Sequence, residues 1–191
     1  VRAHCARDVD VVIDESTDGR ENIRRAIATG NDEALLLLTS DLPFVEGPSL
    51  RAFVERCAAA DVALPLARAD DYEHAYPGAP PHVTRIGKER VANGSVVYFA
   101  PHVAARVLDV AGKLFEARKS LVRMATLLGP ALLLRFASGK LDIGHIEARA
   151  QTLLGIRARA IRDAAPSLCF DIDTIEDYRY ACAHVTPHPV R

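Results

Sequence analysis

The chain has 191 residues, the usual size of one domain. Its composition is 49% hydrophobic and 26% charged, with 11 Gly and 11 Pro, which excludes disordered, collagen-like and low-complexity proteins. The 24 Lys and Arg residues nearly balance the 25 Asp and Glu residues, so the net charge is −1 and the chain lacks the positive field of a general nucleic-acid binder. We therefore expect a folded protein with no nucleic-acid partner.

The sequence also lacks the features of a membrane or secreted protein. No apolar run approaches the roughly 18 residues needed to cross a bilayer, and the first residues have no apolar signal-peptide core. The cysteines Cys5, Cys57, Cys169 and Cys182 are scattered, with no Cys-x-x-Cys pair. These features predict a cytoplasmic protein with reduced thiols and no membrane span.

Taken in order, short apolar runs alternate with amphipathic stretches that are bounded by Gly, Pro and Asn. We predict strands over residues 9–13, 34–38, 62–66, 82–86, 95–99, 156–161 and 167–170. We predict helices over residues 21–29, 49–60, 101–110, 115–137 (broken at Gly129-Pro130), 143–154 and 175–184. A loop is expected over residues 67–81. Residues 1–185 are expected to form one domain with a helical insertion at about 112–140, and residues 186–191 a frayed tail.

This alternation predicts the α/β class, with a three-layer, mostly parallel sheet and helices on both faces. The wholly apolar run 34–38 is expected to be an interior strand of that sheet, because parallel strands are buried on both faces. In such sheets ligands bind beyond the carboxyl ends of the strands. Polar residues that directly follow the strands are therefore the candidate site.

One acidic residue stands at such a strand end. The run 34–38 continues as Thr39-Ser40-Asp41-Leu42-Pro43. A carboxylate there, held by a proline two residues later, is well placed for a divalent cation, since Mg²⁺ takes one or two carboxylates plus phosphate and water. The alternative is that Asp41 caps a turn, because Asp and Pro are both turn residues.

A second acidic segment, Asp171-Ile-Asp-Thr-Ile-Glu-Asp-Tyr178, follows a later apolar run. Thr174 and Asp177 have the spacing of a capping box that begins a helix. Capping does not account for Asp171 and Asp173, which precede the box and crowd negative charge where a cation would relieve it. Carboxylates at two strand ends are what a magnesium-nucleotide site requires.

The order of these segments resembles the MobA-like NTP transferase family, nucleotidyltransferases with the glycosyltransferase-A type of fold. LLLLTSDLPF is similar to the strand and Asp-x-Pro motif of that family, and FDIDTIEDYRYA to its closing acidic motif. ENIRRAI resembles the helix before the Asp-x-Pro strand, and RVANGSVVYFAP the Gly-containing segment that faces the acceptor. The resemblance implies a nucleotide-diphospho-sugar transferase-like, Rossmann-like fold.

The resemblance also implies an activity: transfer of NMP from an NTP to a phosphorylated or similar small-molecule acceptor, with Mg²⁺-assisted release of pyrophosphate. A homo-oligomer is compatible with this activity. The implied site residues are Asp41 as the catalytic residue, Asp41, Asp171 and Asp173 as Mg²⁺ ligands, Thr39, Ser40 and Asn22 as nucleotide-binding residues, and Asn93, Gly94 and Lys119 as acceptor-binding residues. Asn93-Gly94 has an alternative as a hairpin turn, and Lys119 as a solvated helix residue.

The sequence departs from the family pattern at its start. The family begins with a strand and a Gly-Gly-x-x-x-Arg-Met loop that cradles the nucleotide phosphates, whereas this sequence opens at Val1 without that loop. The expected fold is therefore an N-terminally truncated version of the family fold. The alternative function is a non-catalytic remnant that acts as a binding or interaction domain.

Overall fold

The computed structural model describes residues 9–14, 16–29, 33–100, 103, 107 and 129–185. Its helices are α1 (Gly19–Ala28), α2 (Gly47–Arg56), α3 (Ala69–Ala75), α4 (Pro130–Ala137), α5 (Ile143–Leu154) and α6 (Ile175–His184), with a 3₁₀ turn over Pro166–Leu168. Its strands are β1 (Leu35–Leu38), β2 (Val62–Arg68), β3 (Val83–Ile86), β4 (Glu89–Asn93), β5 (Val96–Phe99) and β6 (Ala158–Ile161). No helix within these ranges has the length and apolarity needed to cross a bilayer. Lys119, most of the expected insertion and the tail 186–191 lie outside the described residues.

The two best-predicted helices have clear local boundaries. Helix α5 begins after Asp142, whose side chain accepts a hydrogen bond from the His145 backbone N–H at 2.8 Å, and it ends at Gly155 in the left-handed conformation, φ 63°. Helix α6 begins after Thr174, which forms the predicted capping box with Asp177. Both helices therefore have the bounds that the sequence predicts.

The sheet is mostly antiparallel, so the prediction of a three-layer, mostly parallel, Rossmann-like sheet is wrong. The strand order is β1-β5-β2-β4-β3, with β6 on the other side of β2. Only β2 and β6 pair in parallel, whereas β1–β5, β5–β2, β2–β4 and β4–β3 are antiparallel in the described residues. The reason is that β5 runs between β1 and β2 in the opposite direction, which a pattern of alternating strands and helices does not reveal.

Strand β1 is also placed differently from the prediction of an interior strand. Within the described residues it pairs with β5 alone and stands at the end of the strand order. Each of its four leucines is partly buried and none is fully buried. Leu36 and Leu38 pack against one buried cluster and Leu35 and Leu37 against another, so an apolar run of four leucines is compatible with an edge position in which both side-chain faces are covered.

Other predicted elements differ as well. Residues 9–13, predicted as a strand, form no strand with any described part of the chain, and they expose Val9, Val11 and Val12. Residues 167–170, predicted as a strand, contain the last two residues of the 3₁₀ turn and no strand, and the predicted loop 67–81 contains the end of β2 and helix α3.

The segment around Asn93-Gly94 is not a hairpin turn. Strands β4 and β5 both pair with β2, β4 along Leu66–Arg68 and β5 along Val62–Ala63, so the chain passes β2 in one direction. The hairpin lies earlier, where Gly87, at φ 62°, and Lys88 connect Ile86 to Glu89.

The core lies against this sheet and the segment that precedes α6. Its most buried large residues include Leu168, Phe170, Val96 and Cys57. Phe170 is surrounded by aromatic rings, among them His82 with ring centroids 5.1 Å apart. This packing fixes the chain at the point where the acidic segment begins.

Candidate functional site at the strand ends

Two backbone hydrogen bonds join three segments of the chain: the one after β1, the one before β5 and the one after Phe170. The Ile172 N–H donates to the Asp41 carbonyl at 3.1 Å, and the Thr39 N–H donates to the Ser95 carbonyl at 3.3 Å. The structure therefore places the Asp41 segment beside the Asp171–Asp173 segment, although they lie far apart in the sequence.

Asp41 has a carboxylate oxygen that lacks a partner. The Oδ1 atom is buried, and no described group donates a hydrogen bond to it. The next residue, Leu42, is buried in the core and holds the backbone at this point. A buried acceptor without a donor costs about 1–3 kcal/mol, more when it is charged. An oxygen of this kind is suited to a ligand or a cation that supplies the missing interaction.

Asp171 is held differently, with one contact on each carboxylate oxygen. The Ser95 hydroxyl donates to Oδ2 at 2.6 Å, and His82 Nδ1 lies 3.3 Å from Oδ1. The Asp171 side chain is 23% exposed, so ligands can still reach it. Each carboxylate oxygen has two lone pairs, and these contacts leave others available.

The second ring nitrogen of His82 faces another carboxylate. His82 Nε2 lies 2.8 Å from Asp177 Oδ1, and the Asp177 side chain is only 1% exposed. Asp177 Oδ2 also accepts from the Thr174 N–H at 2.8 Å and the Thr174 hydroxyl at 2.7 Å. Burial by itself raises the pKa of Asp177, but the hydrogen bonds from Thr174 and His82 and the charge of His82 outweigh it and lower that pKa.

Asp173 takes part in a different way from Asp171. Asp173 is exposed. Its backbone N–H donates a hydrogen bond to Asp177 Oδ2 at 3.2 Å. Within the described part of the chain, no three His, Cys, Asp or Glu side chains cluster in a way that could hold a metal ion. A site with Asp41 and Asp171 would therefore rely on ligands from substrate and water, as Mg²⁺ sites commonly do.

The predicted nucleotide-binding residues lie in two places. Thr39 and Ser40 are exposed and directly precede Asp41. Asn22 is on α1, where its amide bonds to the backbone of Ser16 in both directions, accepting from N–H at 2.6 Å and donating to the carbonyl at 3.2 Å. The Asn22 side chain therefore has a structural role at the start of that helix.

The predicted acceptor-binding residue Asn93 ends β4, and Gly94 follows it in the connection to β5. Asn93 is exposed. A Cβ atom on Gly94 would lie 2.4 Å from Pro65 Cγ and 2.5 Å from the Leu168 carbonyl oxygen. Glycine at this position is thus required for close packing of the backbone.

The sequence interpretation missed His82, Ser95 and Tyr72. A lone histidine after two prolines, and a serine after a glycine, carry no local signal of their distant partners. Tyr72 is buried, 2% exposed, and its hydroxyl has no partner in the described residues. Tyr72 and His82 also line a cavity of about 440 Å³ together with Tyr76, Arg85 and Arg90.

The fold is shared with a known structure. A protein described as a hypothetical transferase from Thermus thermophilus is similar over 90% of this chain and 74% of its own, with a TM-score of 0.78 and 23% sequence identity. At that identity the likeness establishes the fold. No family model matches the chain, and no curated protein matches it.

Proposed function

We propose that this chain is a nucleotidyltransferase domain that transfers NMP from an NTP to a phosphorylated or similar small acceptor. The observation that carries the proposal is the buried Oδ1 of Asp41, which has no hydrogen-bond partner among the described residues and lies beside the Asp171 segment. Two further findings support it. The fold is that of a protein described as a transferase, and the sequence resembles the Asp-x-Pro and closing acidic motifs of the MobA-like family.

The donor set fits Mg²⁺. Asp41 and Asp171 supply carboxylate oxygens, the ligand type that Mg²⁺ prefers, and a cation would satisfy the Asp41 oxygen to which no group of the described residues donates a hydrogen bond. Asp41 and Asp171 would hold the ion, with Asp173 as a further exposed carboxylate. When bound, Mg²⁺ supplies neutralisation of the negative charge on the transferring phosphate.

In the proposed reaction an acceptor oxygen forms a bond to the α-phosphorus of the NTP. The bond from that phosphorus to the bridging oxygen breaks, its electron pair leaves with pyrophosphate, and the acceptor proton passes to solvent. The chain binds and orients the reactants for this step. Thr39 and Ser40 are exposed beside Asp41 and can contact the nucleoside, while Asn93 is exposed at the end of β4 for the acceptor.

The test measures pyrophosphate released from each of the four common NTPs with Mg²⁺ and mixed phosphorylated acceptors. Because the sequence lacks the Gly-Gly-x-x-x-Arg-Met loop that cradles the phosphates, we expect turnover to be weak and Asp41→Asn to abolish it, since the carboxylate charge acts in the transition state. Asp70→Asn is the matched control, since Asp70 is 77% exposed. Equal turnover in the two variants would contradict the proposal. Binding of Mn²⁺ or NTP without any turnover would favour the alternative of a non-catalytic binding domain.

A further inference from the structure

The carboxylate of Asp171 is fixed by two side chains from different parts of the sheet. Ser95, directly before β5, donates to Oδ2 at 2.6 Å, and His82, directly before β3, places Nδ1 3.3 Å from Oδ1. A carboxylate contacted on both oxygens cannot rotate freely about its Cβ–Cγ bond. Its remaining lone pairs therefore keep one direction.

We propose that His82 is a positioning residue, which orients Asp171 for cation binding without itself binding the cation. The inference rests on the proposed function, in which Asp171 and Asp41 hold Mg²⁺. Removing the side chains that contact and orient the ligands of a metal commonly changes metal affinity by about 10–100-fold. His82 is suited to that role because the ring itself is held in place.

Two features hold the His82 ring. The first is packing: the ring centroid lies 5.1 Å from Phe170 and 6.0 Å from Tyr72, and the side chain is 12% exposed. The second is the contact of Nε2 with Asp177 Oδ1 at 2.8 Å, inside the capping box that begins α6. The direction of the Asp171 carboxylate is thus tied to a buried network.

A structural role offers a different explanation, in which His82 only stabilises the start of α6 through Asp177. The two explanations depend on different ring nitrogens, because Nδ1 faces the Asp171 carboxylate and Nε2 faces the Asp177 carboxylate. An Asn side chain carries its nitrogen at the position of Nδ1, which faces Asp171, and a Gln side chain carries it at the position of Nε2, which faces Asp177. His82→Asn therefore keeps the Asp171 contact, whereas His82→Gln keeps the Asp177 contact.

The experiment measures the dissociation constant for Mn²⁺ alone by electron paramagnetic resonance, together with the unfolding temperature. We expect His82→Phe and His82→Gln to weaken Mn²⁺ binding by about 10–100-fold and His82→Asn to stay within about threefold of wild type. The Mn²⁺ affinity should not change in parallel with the unfolding temperature across the variants. His82→Gln retains the contact with Asp177, so it should lose Mn²⁺ affinity without losing the stability that this contact contributes. His74→Asn and His74→Gln are matched controls at an exposed histidine of α3 and should not change the affinity.

The outcomes are separable. Equal affinity in His82→Asn and His82→Phe, or wild-type affinity in His82→Gln, would overturn the role of His82. If Asp41→Asn abolishes Mn²⁺ binding while every His82 variant binds as wild type, the cation site stands and the positioning role fails. If wild type does not bind Mn²⁺, or Asp41→Asn binds it equally well, the proposed cation site fails and this inference fails with it. If His82→Phe does not fold, the Asn and Gln variants still decide the question.

Discussion

His82 Nε2 lies 2.8 Å from Asp177 Oδ1, and this contact joins the segment before β3 to the first turn of α6. The two residues are separated by 95 positions in the sequence. A carboxylate that is 1% exposed is unfavourable unless it is hydrogen-bonded. Asp177 meets that condition through hydrogen bonds with His82, Thr174 and the Asp173 N–H. The capping residue of α6 therefore also connects that helix to the segment before β3.

Replacing Asp177 should destabilise the protein strongly. Asp177→Ala removes the acceptor for the Thr174 N–H and hydroxyl and leaves His82 without this partner. We expect the free energy of unfolding to fall by about 3 kcal/mol, because the lost hydrogen bonds are charged and buried. Urea unfolding measures the change. Glu176→Ala, at the exposed neighbouring position, should stay within about 0.5 kcal/mol of wild type. Similar losses in both variants would contradict this role of Asp177.

The stability that Asp177 contributes should depend on pH at the acid end. The pKa of Asp177 is lowered in the folded protein, so the unfolded chain takes up the proton first as the pH falls. The contribution is therefore complete above about pH 4, the ordinary aspartate pKa, and is lost progressively below it. We expect the difference in unfolding free energy between wild type and Asp177→Asn to be constant near pH 5 and to shrink towards pH 3. If this difference in unfolding free energy grew on acidification, the pKa of Asp177 would be raised in the folded protein, and the prediction would be wrong.

Gly94 should tolerate no side chain. A Cβ atom there would overlap Pro65 Cγ at 2.4 Å and the Leu168 carbonyl oxygen at 2.5 Å, and the carbonyl is a backbone group that cannot rotate away. We expect Gly94→Ala to lower the free energy of unfolding by about 2–3 kcal/mol, the cost of overpacking a close contact. Gly19→Ala is the matched control, since a Cβ atom at Gly19 meets nothing within 4 Å and alanine favours the helix. A neutral Gly94→Ala would mean that Gly94 does not lie this close to Pro65 and Leu168 in solution.

The parts of the fold that the sequence predicted well are those with local chemical signals. Helix α6 has its capping residue Thr174 at the predicted position, and α5 has the predicted bounds, with Asp142 as its N-cap and Gly155 as a left-handed cap at its end. These features depend on residues three or four positions apart, so a single sequence contains them. The direction of β5 depends instead on pairing with strands that are distant in sequence, and no local pattern encodes it.

In the candidate site, too, features with local signals were predicted and features that depend on distant contacts were not. Asp41 and Asp171 could be proposed from the sequence because each follows an apolar run and carries a type of ligand oxygen that cations prefer. Ser95 and His82 could not, since their contacts with Asp171 span 76 and 89 positions and become visible only when the sheet is assembled. The contact of the Asn22 amide with Ser16 spans only six positions, yet the sequence interpretation did not identify it.

Two of the thiols should be unreactive in the native protein. Burial raises the pKa of Cys57 to about 11 and that of Cys169 to about 12, although Arg56 lowers the first and a hydrogen bond with the Ala67 backbone lowers the second. The thiolate is the reactive form, so both should resist a disulfide reagent near pH 8. In a Cys5→Ser background we expect one fast-reacting thiol, the exposed Cys182, and two more after unfolding in urea. Fast labelling of Cys57 or Cys169 would contradict their burial.

The hydroxyl of Tyr72 should contribute nothing to stability. It is buried without a hydrogen-bond partner in the described residues, and desolvation by burial raises the pKa of Tyr72. Removing a buried polar group that has no partner relieves an unfavourable desolvation, so Tyr72→Phe should leave the free energy of unfolding unchanged or increase it by about 1 kcal/mol. Tyr180→Phe is the comparison, because the Tyr180 hydroxyl donates to the Pro77 carbonyl at 3.3 Å and its loss should cost about 0.5–1 kcal/mol. Urea unfolding of both variants gives the answer. A loss above about 1 kcal/mol in Tyr72→Phe would show that an ordered water or a bound ligand in the adjoining cavity satisfies the hydroxyl.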